Sequence, residues 1–117
     1  MEFTVEGTPK GYSNNGEEKW RKAIAKKVDS LENTLKYTEM SKFKVEITFF
    51  LLENSHDLDN LIKPVLDTLF KGERSSIRFS ELTGKLIKYD DRTVYRLIAK
   101  KEIVSDFSGA KITIDII

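Results

Sequence analysis

A single proline, Pro64, stands inside the most regularly spaced apolar stretch of the chain and limits how that stretch can fold. The stretch reads HDLDNLIKPVLDTL over residues 56–69, and from Leu61 onward its apolar positions follow the spacing of a helix with one buried face. A proline in a helix interior costs about 3 kcal/mol, whereas in the first turn its missing amide has no intrahelical partner to lose. We therefore predict a helix that begins at Asn60 or Leu61 and is capped by Asp59 or Asn60.

Three aspartates accompany this predicted helix: Asp57, Asp59 and Asp67. If residues 56–59 form extended chain, Asp57 and Asp59 project from the same side. Two carboxylates at that distance repel each other, and a helix N-terminus offsets only about 0.3–1 kcal/mol of the repulsion. Lys63, one turn into the helix, would offset part of the rest, and a divalent cation would neutralise the pair. Asp67 lies one turn further along, so we expect it beside such a site or on the surface.

A second acidic pair, Asp90 and Asp91, directly precedes the strand-like run TVYRLIAKK. If that run pairs beside a strand at 43–52, the start of the run would bring Asp91 to Asp57 and Asp59. Three converging carboxylates form an oxygen-ligand site of the kind that binds Mg²⁺.

The composition restricts any metal site to such oxygen ligands. The chain has no cysteine and one histidine, His56, so thiolate sites and all-imidazole zinc sites within one chain are excluded. Each acidic position also has a simpler interpretation: Asp59 as an ordinary helix cap, and the pair at 90–91 as a turn. The simpler interpretation of His56 is an ordinary loop residue.

The other segments alternate between strand and helix patterns. A short alternating strand, EFTVE, is followed by a loop at 7–16 and by helical spacing from Gly16 that continues to Leu35. The run FKVEITFFLL reads as a strand, and two later runs, TVYRLIAKKEIV and KITIDII, read as antiparallel neighbours. The predicted fold class is therefore α+β: the order is β-α-β-α-β-β, with a small mixed sheet packed against two helices in one domain, 1–117.

Basic residues concentrate after the acidic helix. Between Lys71 and Lys101 there are nine Lys or Arg against four Asp or Glu, whereas the rest of the chain has eleven against fifteen. This segment is either a solvated face or a surface for nucleic-acid phosphates, and the net charge of +1 does not decide between them. The N-terminus lacks a signal-peptide pattern, and no apolar run approaches the ~18–20 residues of a membrane span. We therefore expect a cytoplasmic protein.

The run DLDNLIKPVLDTL, followed by YDDRTV and a basic strand, resembles the RusA family of Holliday-junction resolvases. The resemblance covers 57–69 almost residue for residue and resumes at 90–94, and the predicted order of elements fits nearly the whole chain. It implies a RusA-like endonuclease domain that acts as a homodimer on four-way DNA junctions. Such a dimer would nick two opposed strands symmetrically with Mg²⁺, for which Mn²⁺ would substitute.

The resemblance also implies roles for individual residues. Asp57, Asp59 and Asp91 correspond to the metal-binding catalytic carboxylates, and Lys63 corresponds to a functionally important lysine. The residues that would support this site are Asn60, Asp67 and Asp90. The basic side chains expected to contact the DNA backbone are Lys71, Arg74, Arg78, Lys85, Lys88, Arg92, Arg96 and Lys100.

The chain departs from the family pattern in three places. The loop at 7–16 keeps only one proline, one serine and the asparagines of a Pro-Pro-Ser-x-Asn type loop. The residues before Asp57 are ENSH rather than basic, and the link from Asp67 to Asp90 is long. Two alternatives to junction resolution therefore stay open. One is a structure-selective DNA-binding protein with weak or no catalytic activity, and the other is a nuclease for different branched DNA.

Overall fold

The computed structural model describes residues 1–72 and 79–117. Its elements are β1 (Glu2–Glu6), α1 (Glu17–Asp29), β2 (Phe43–Leu51), α2 (Leu58–Leu69), β3 (Val94–Ile103) and β4 (Gly109–Ile116), with short 3₁₀ turns at Ser80–Leu82 and Asp91–Thr93. The predicted α+β class and the order β-α-β-α-β-β are confirmed. None of the helices in the described ranges has the length and apolar character needed to cross a membrane.

The four strands form one mixed sheet in the order β1-β4-β2-β3. β2 pairs in parallel with β3 on one side and antiparallel with β4 on the other. The prediction that β3 and β4 are antiparallel neighbours is therefore wrong, because β2 lies between them. Crossing over the end of β2 requires about 10 Å, two strand spacings, and the connection at 104–108 is long enough for that step.

The core lies between one face of this sheet and the two helices. Along β2, Phe43, Val45, Ile47, Phe49 and Leu51 are all buried, as the alternation in the sequence predicts. They belong to one apolar cluster with buried residues of both helices, so α1 and α2 cover the same face. β3 is an edge strand, and most of its side chains are exposed.

Helix α1 is shorter than its apolar spacing predicts. It ends at Asp29, and the hydroxyl of the capping residue Ser30 donates to the Lys27 carbonyl at 2.6 Å. Leu31 and Leu35 still pack against the core, but from irregular chain after the helix. A serine that bonds to a preceding carbonyl competes with helix continuation, and apolar spacing alone does not show this.

Helix α2 is longer than predicted and contains Pro64 in its interior. It begins at Leu58, with Asp57 in the N-cap position, rather than at Asn60 or Leu61. Pro64 has no amide, so the carbonyl of Asn60, four residues earlier, lacks its usual helical partner. The backbone N–H of Tyr12 donates to that carbonyl instead, at 3.1 Å. The loop at 7–16 thus supplies the hydrogen bond that the proline removes.

Gly11 allows this loop to approach the helix. A Cβ atom at position 11 would lie 3.2 Å from the Asn60 Cβ and 3.4 Å from the Asn60 carbonyl oxygen. Both separations are at or slightly below ordinary van der Waals contact, so a Cβ at position 11 would require Asn60 or the loop to shift by a few tenths of an ångström.

A buried polar contact joins the two helices. Arg21 is 1% exposed, and its Nε donates to the Thr68 hydroxyl at 2.8 Å. The Thr68 hydroxyl in turn donates to the Pro64 carbonyl at 2.8 Å. The Arg21 Nη1 lies 3.8 Å from the equally buried Glu17 carboxylate, so the two charges enter the core as a pair.

We predict that Arg21→Met lowers the free energy of unfolding by about 3–5 kcal/mol, because it leaves the buried Glu17 charge without its guanidinium. Lys22→Met is the matched control on the same helix, since Lys22 pairs with Glu18 at 3.3 Å but both side chains are more than half exposed. That variant should lose less than about 1 kcal/mol. Urea unfolding at pH 7 measures both values, and equal losses would contradict the prediction.

Candidate functional site

The N-terminal end of α2 carries Asp57 and Asp59. Asp57 is extended and exposed, and its carboxylate makes no capping hydrogen bond. Asp59 lies in the first turn, also exposed, and its Oδ1 accepts from the N–H of Asn60 at 3.0 Å. The expectation that both stand in extended chain is wrong for Asp59, and so is its assignment as the cap. Both carboxylates nevertheless lie at the positive end of the helix, where negative charge is favoured.

The chain that leads into Asp57 is held by a lysine of the neighbouring edge strand. The Lys101 ammonium donates to the Asn54 side chain at 2.7 Å and to the His56 carbonyl at 2.8 Å. His56 itself is a loop residue, as its simpler interpretation has it. Strand β3 therefore fixes the position from which the acidic motif starts.

Asp67, near the C-terminal end of α2, is 4% exposed. Its Oδ2 has no hydrogen-bond partner among the described residues, and the Lys63 ammonium lies 3.4 Å from it. The expectation of a surface position for Asp67 is wrong, whereas a position beside the candidate site remains. A buried carboxylate is costly without an opposite charge, so Lys63 is the group that makes this burial tolerable.

Asp91 belongs to the same group as Asp67. Burial raises the pKa of Asp91 above its ordinary value of 3.8. A hydrogen bond with Asp90 and the negative charges of Asp90 and Asp67 raise that pKa further, while the Lys63 ammonium lowers it. Asp90 caps the 3₁₀ turn, since its Oδ1 accepts from the Arg92 N–H at 2.9 Å. The turn that the simpler interpretation predicts is therefore present.

One copy of the chain does not bring Asp57 and Asp59 together with Asp91. Asp57, the N-cap of α2, precedes Asp67 by ten residues, or about 15 Å at the rise of a helix. Asp91 lies toward the Asp67 end, because the Lys71 N–H, just past α2, donates to the carbonyl of Tyr89 at 3.1 Å. No three acidic or histidine side chains within residues 1–72 and 79–117 are grouped closely enough to hold a metal ion. The reason is the direction of β3, which runs parallel to β2 and therefore starts where β2 starts.

Tyr12 is a site residue that the sequence did not reveal. Tyr12 is 43% exposed, and the Lys63 ammonium lies 5.3 Å from the centroid of its ring. Lys63 thus lies between an aromatic ring and the buried carboxylate of Asp67. Both groups attract its ammonium. The sequence contains only an indirect signal for this position, namely Pro64, which leaves the Asn60 carbonyl without a helical partner. The loop that carries Tyr12 provides the donor.

The predicted DNA-contacting residues that the structure describes are all exposed, and they are Lys71, Lys85, Lys88, Arg92, Arg96 and Lys100. Arg74 and Arg78 lie outside the described residues. Two of the exposed ones have acidic neighbours, since Arg92 Nε lies 3.6 Å from Asp90 and Lys100 Nζ lies 3.2 Å from Glu102. Exposure fits phosphate contact and a solvated face equally well, so the role of these residues stays a prediction.

We predict that Asp91→Asn stabilises the fold at pH 7 in EDTA. The folded wild type binds the Asp91 proton more tightly than the unfolded chain does, so it loses stability as pH rises through the pKa of Asp91. The asparagine keeps the shape and a donor toward Asp90 but carries no charge. Its gain in Tm should be largest at neutral pH and disappear as pH falls below 3.8.

Thermal unfolding from pH 3 to pH 8 measures this difference, and Asp29→Asn, at the exposed end of α1, is the control. A Tm gain at position 91 that is independent of pH would contradict the electrostatic cause.

A scan against known protein families found no family that matches this chain. A search among curated proteins likewise found no relative.

Proposed function

We propose that this protein is a Mg²⁺-dependent endodeoxyribonuclease that resolves four-way DNA junctions by symmetric nicks and acts as a homodimer. The motif is what supports the nuclease activity, and one structural observation motivates the homodimer. The carboxylates that would hold the metal are divided between the two ends of α2, and the strand beside them presents an open edge. The residues to which the motif gives catalytic roles are Asp57, Asp59, Asp91 and Lys63.

The open edge belongs to β3, which has β2 as its neighbour on one side in the described sheet. Its exposed apolar side chains include Tyr95 at 63%, Ile98 at 46% and Ile103 at 52%. A long edge strand with exposed apolar residues is a template for pairing with another strand. A second copy of β3 is the occupant that we propose.

Antiparallel pairing of two β3 strands about a two-fold axis at Ala99 gives a self-complementary register. It places Arg96 opposite Glu102 and Tyr95 opposite Ile103, each pair occurring twice. Across Val94–Ile103 in this register, no two like charges stand opposite each other. Cross-strand pairs of opposite charge and of apolar side chains each contribute roughly 0.2–1 kcal/mol, so the register favours association.

This pairing places the start of one β3 strand beside the end of its partner. Asp91 precedes β3, whereas Asp57 and Asp59 lie past the end of β2, which is also the end of β3. An antiparallel partner therefore places its own Asp91 at the end where this copy carries Asp57 and Asp59. We propose that each metal site takes two carboxylates from one copy and one from the other.

The donor set fits a hard divalent cation, since the proposed ligands are all carboxylate oxygens. Bound Mg²⁺ would act as a Lewis acid on the scissile phosphate and would lower the pKa of the attacking water. Lys63 lies one helical turn from both Asp59 and Asp67, so its ammonium can donate to a phosphate oxygen as negative charge develops. The buried Asp67 carboxylate, 3.4 Å away, holds that ammonium in position. The exposed basic side chains would contact neighbouring phosphates without reading the sequence.

The first test uses a synthetic four-way junction. With Mg²⁺, the wild type should nick two opposed strands, and Asp59→Asn should reduce nicking by at least about 100-fold because one proposed metal ligand is lost. Junction binding by Asp59→Asn in EDTA should remain, and Asp29→Asn should match the wild type in both assays.

Absence of nicks with both Mg²⁺ and Mn²⁺ would contradict the proposed activity. Binding without nicking would then select the DNA-binding alternative. Faster cutting of flaps or forks than of four-way junctions would select the alternative branched substrate.

The second test asks whether the site is shared between copies. Asp59→Asn and Asp91→Asn should each be inactive alone, but after mixing and subunit exchange the heterodimer has one site with all three carboxylates. The mixture should recover roughly a quarter of wild-type nicking, and each junction should be nicked in one strand. If each site lies within one copy, mixing restores nothing, which would disprove the shared site while leaving the nuclease assignment intact.

A further inference from the structure

A cavity of about 360 Å³ opens directly beside the start of the acidic motif. It lies between the loop at 8–10 and the segment at 51–56, and His56 and Ser108 are among its lining residues. The proposed roles of the carboxylates, of Lys63 and of the basic surface do not involve it. Its volume lies within the range of about 300–1,000 Å³ that is usual for small-ligand sites.

We propose that this cavity binds one unpaired nucleobase of the DNA strand that is cut, an inference that rests on the proposed function. Its walls are apolar where a base would place its ring faces. Pro9 and Leu51 are buried, and Leu52 is 59% exposed at the mouth. A planar ring that leaves water to lie against such side chains gains van der Waals contact and burial energy regardless of sequence.

The rim of the cavity carries the polar groups that a nucleotide requires. Glu53 and Ser55 are exposed there and offer a hydrogen-bond acceptor and a hydroxyl to the edge of a base. Lys10 lines the opposite side, and its positive charge would favour the attached phosphate. Three apolar residues and a larger number of polar and charged ones share the lining, and this mixture suits a flat heterocycle on a charged backbone better than a lipid chain.

Hydrogen bonds hold the walls of the cavity in place without a ligand. The Val104 N–H donates to the Leu51 carbonyl at 2.8 Å, and the Gly7 N–H donates to the Ser108 carbonyl at 3.2 Å. The Lys101 ammonium fixes the segment at 54–56 through Asn54 and His56. A site that is already formed loses little conformational entropy when a ligand binds.

The position of the cavity sets the requirement for an unpaired base. His56 lines it, and Asp57, the next residue, is a proposed metal ligand. A base seated in the cavity would therefore belong to a nucleotide next to the phosphate that is cut. Bases inside a duplex cannot enter a pocket without leaving the stack, and this costs least at a branch point, where stacking is already interrupted. The cavity would thus select branched DNA over plain duplex.

The test combines a protein variant that fills the cavity with a DNA junction that lacks one base. Ser55→Phe places a large ring at its rim, and Thr34→Phe is the control at an exposed loop residue between α1 and β2. On the wild type, an abasic nucleotide should slow nicking at least about fivefold at one position next to the cut. Ser55→Phe should be slower by a similar factor on the intact junction, and the abasic junction should then cause no further loss.

An abasic penalty that persists in Ser55→Phe, or an unchanged rate in that variant, would overturn the inference while the nuclease assignment stands. Circular dichroism and Tm confirm that the variants fold. If Ser55→Phe does not fold, Leu52→Ala, at an exposed position, replaces it with the same expected loss.

If the wild type nicks no branched DNA, the proposed function fails and the cavity is tested by binding alone. A short single-stranded oligonucleotide is then titrated in EDTA against protein with labelled leucine methyl groups. Shifts of the Leu51 and Leu52 methyl signals that are lost in Ser55→Phe would support a base site, and unchanged signals would overturn it.

Discussion

The hydrogen bond from the Tyr12 amide to the Asn60 carbonyl connects the N-terminal loop to the helix that carries the acidic motif. It exists because Pro64 removes the amide that would otherwise pair with that carbonyl. The same bond brings the loop backbone close to Asn60, where glycine at position 11 fits without displacing its neighbours. It also places the Tyr12 ring over Lys63. A proline that looks unfavourable within α2 thus becomes the attachment point of the loop.

Charge along one face of α2 follows a simple alternation. Asp59, Lys63 and Asp67 succeed each other at four-residue intervals, so the lysine lies one turn from each acid. At the buried end the Lys63 ammonium offsets the charge of the buried Asp67 carboxylate. At the exposed end Asp59 remains in contact with solvent. Asp91 shares the buried end, where its pKa is raised mainly by burial. The electrostatics therefore separate the acids into a buried group and an exposed group.

The sequence predicted the elements well and their neighbours only in part, since β3 does pair with β2 but does not pair with β4. Alternating apolar residues identified β2 and its buried face, and the spacing after Leu61 identified α2, because both signals are local. Sheet order and the direction of β3 relative to β2 depend on long-range packing, so the expected meeting of Asp91 with Asp57 and Asp59 within one chain could not be checked from the sequence. The start of α2 was missed for a related reason. The partner that makes Pro64 tolerable lies in a loop far away in the chain.

The close contact among Gly11, Asn60 and Pro64 also constrains how the chain can change by mutation. An ordinary residue at position 64 would return an amide to the Asn60 carbonyl, compete with Tyr12 for it, and remove the reason for a glycine at position 11. A larger residue at position 11 would force a local shift of the loop or of Asn60 and would strain the hydrogen bond to the Asn60 carbonyl. Among descendants of this protein, positions 11 and 64 should therefore either persist together or be replaced together.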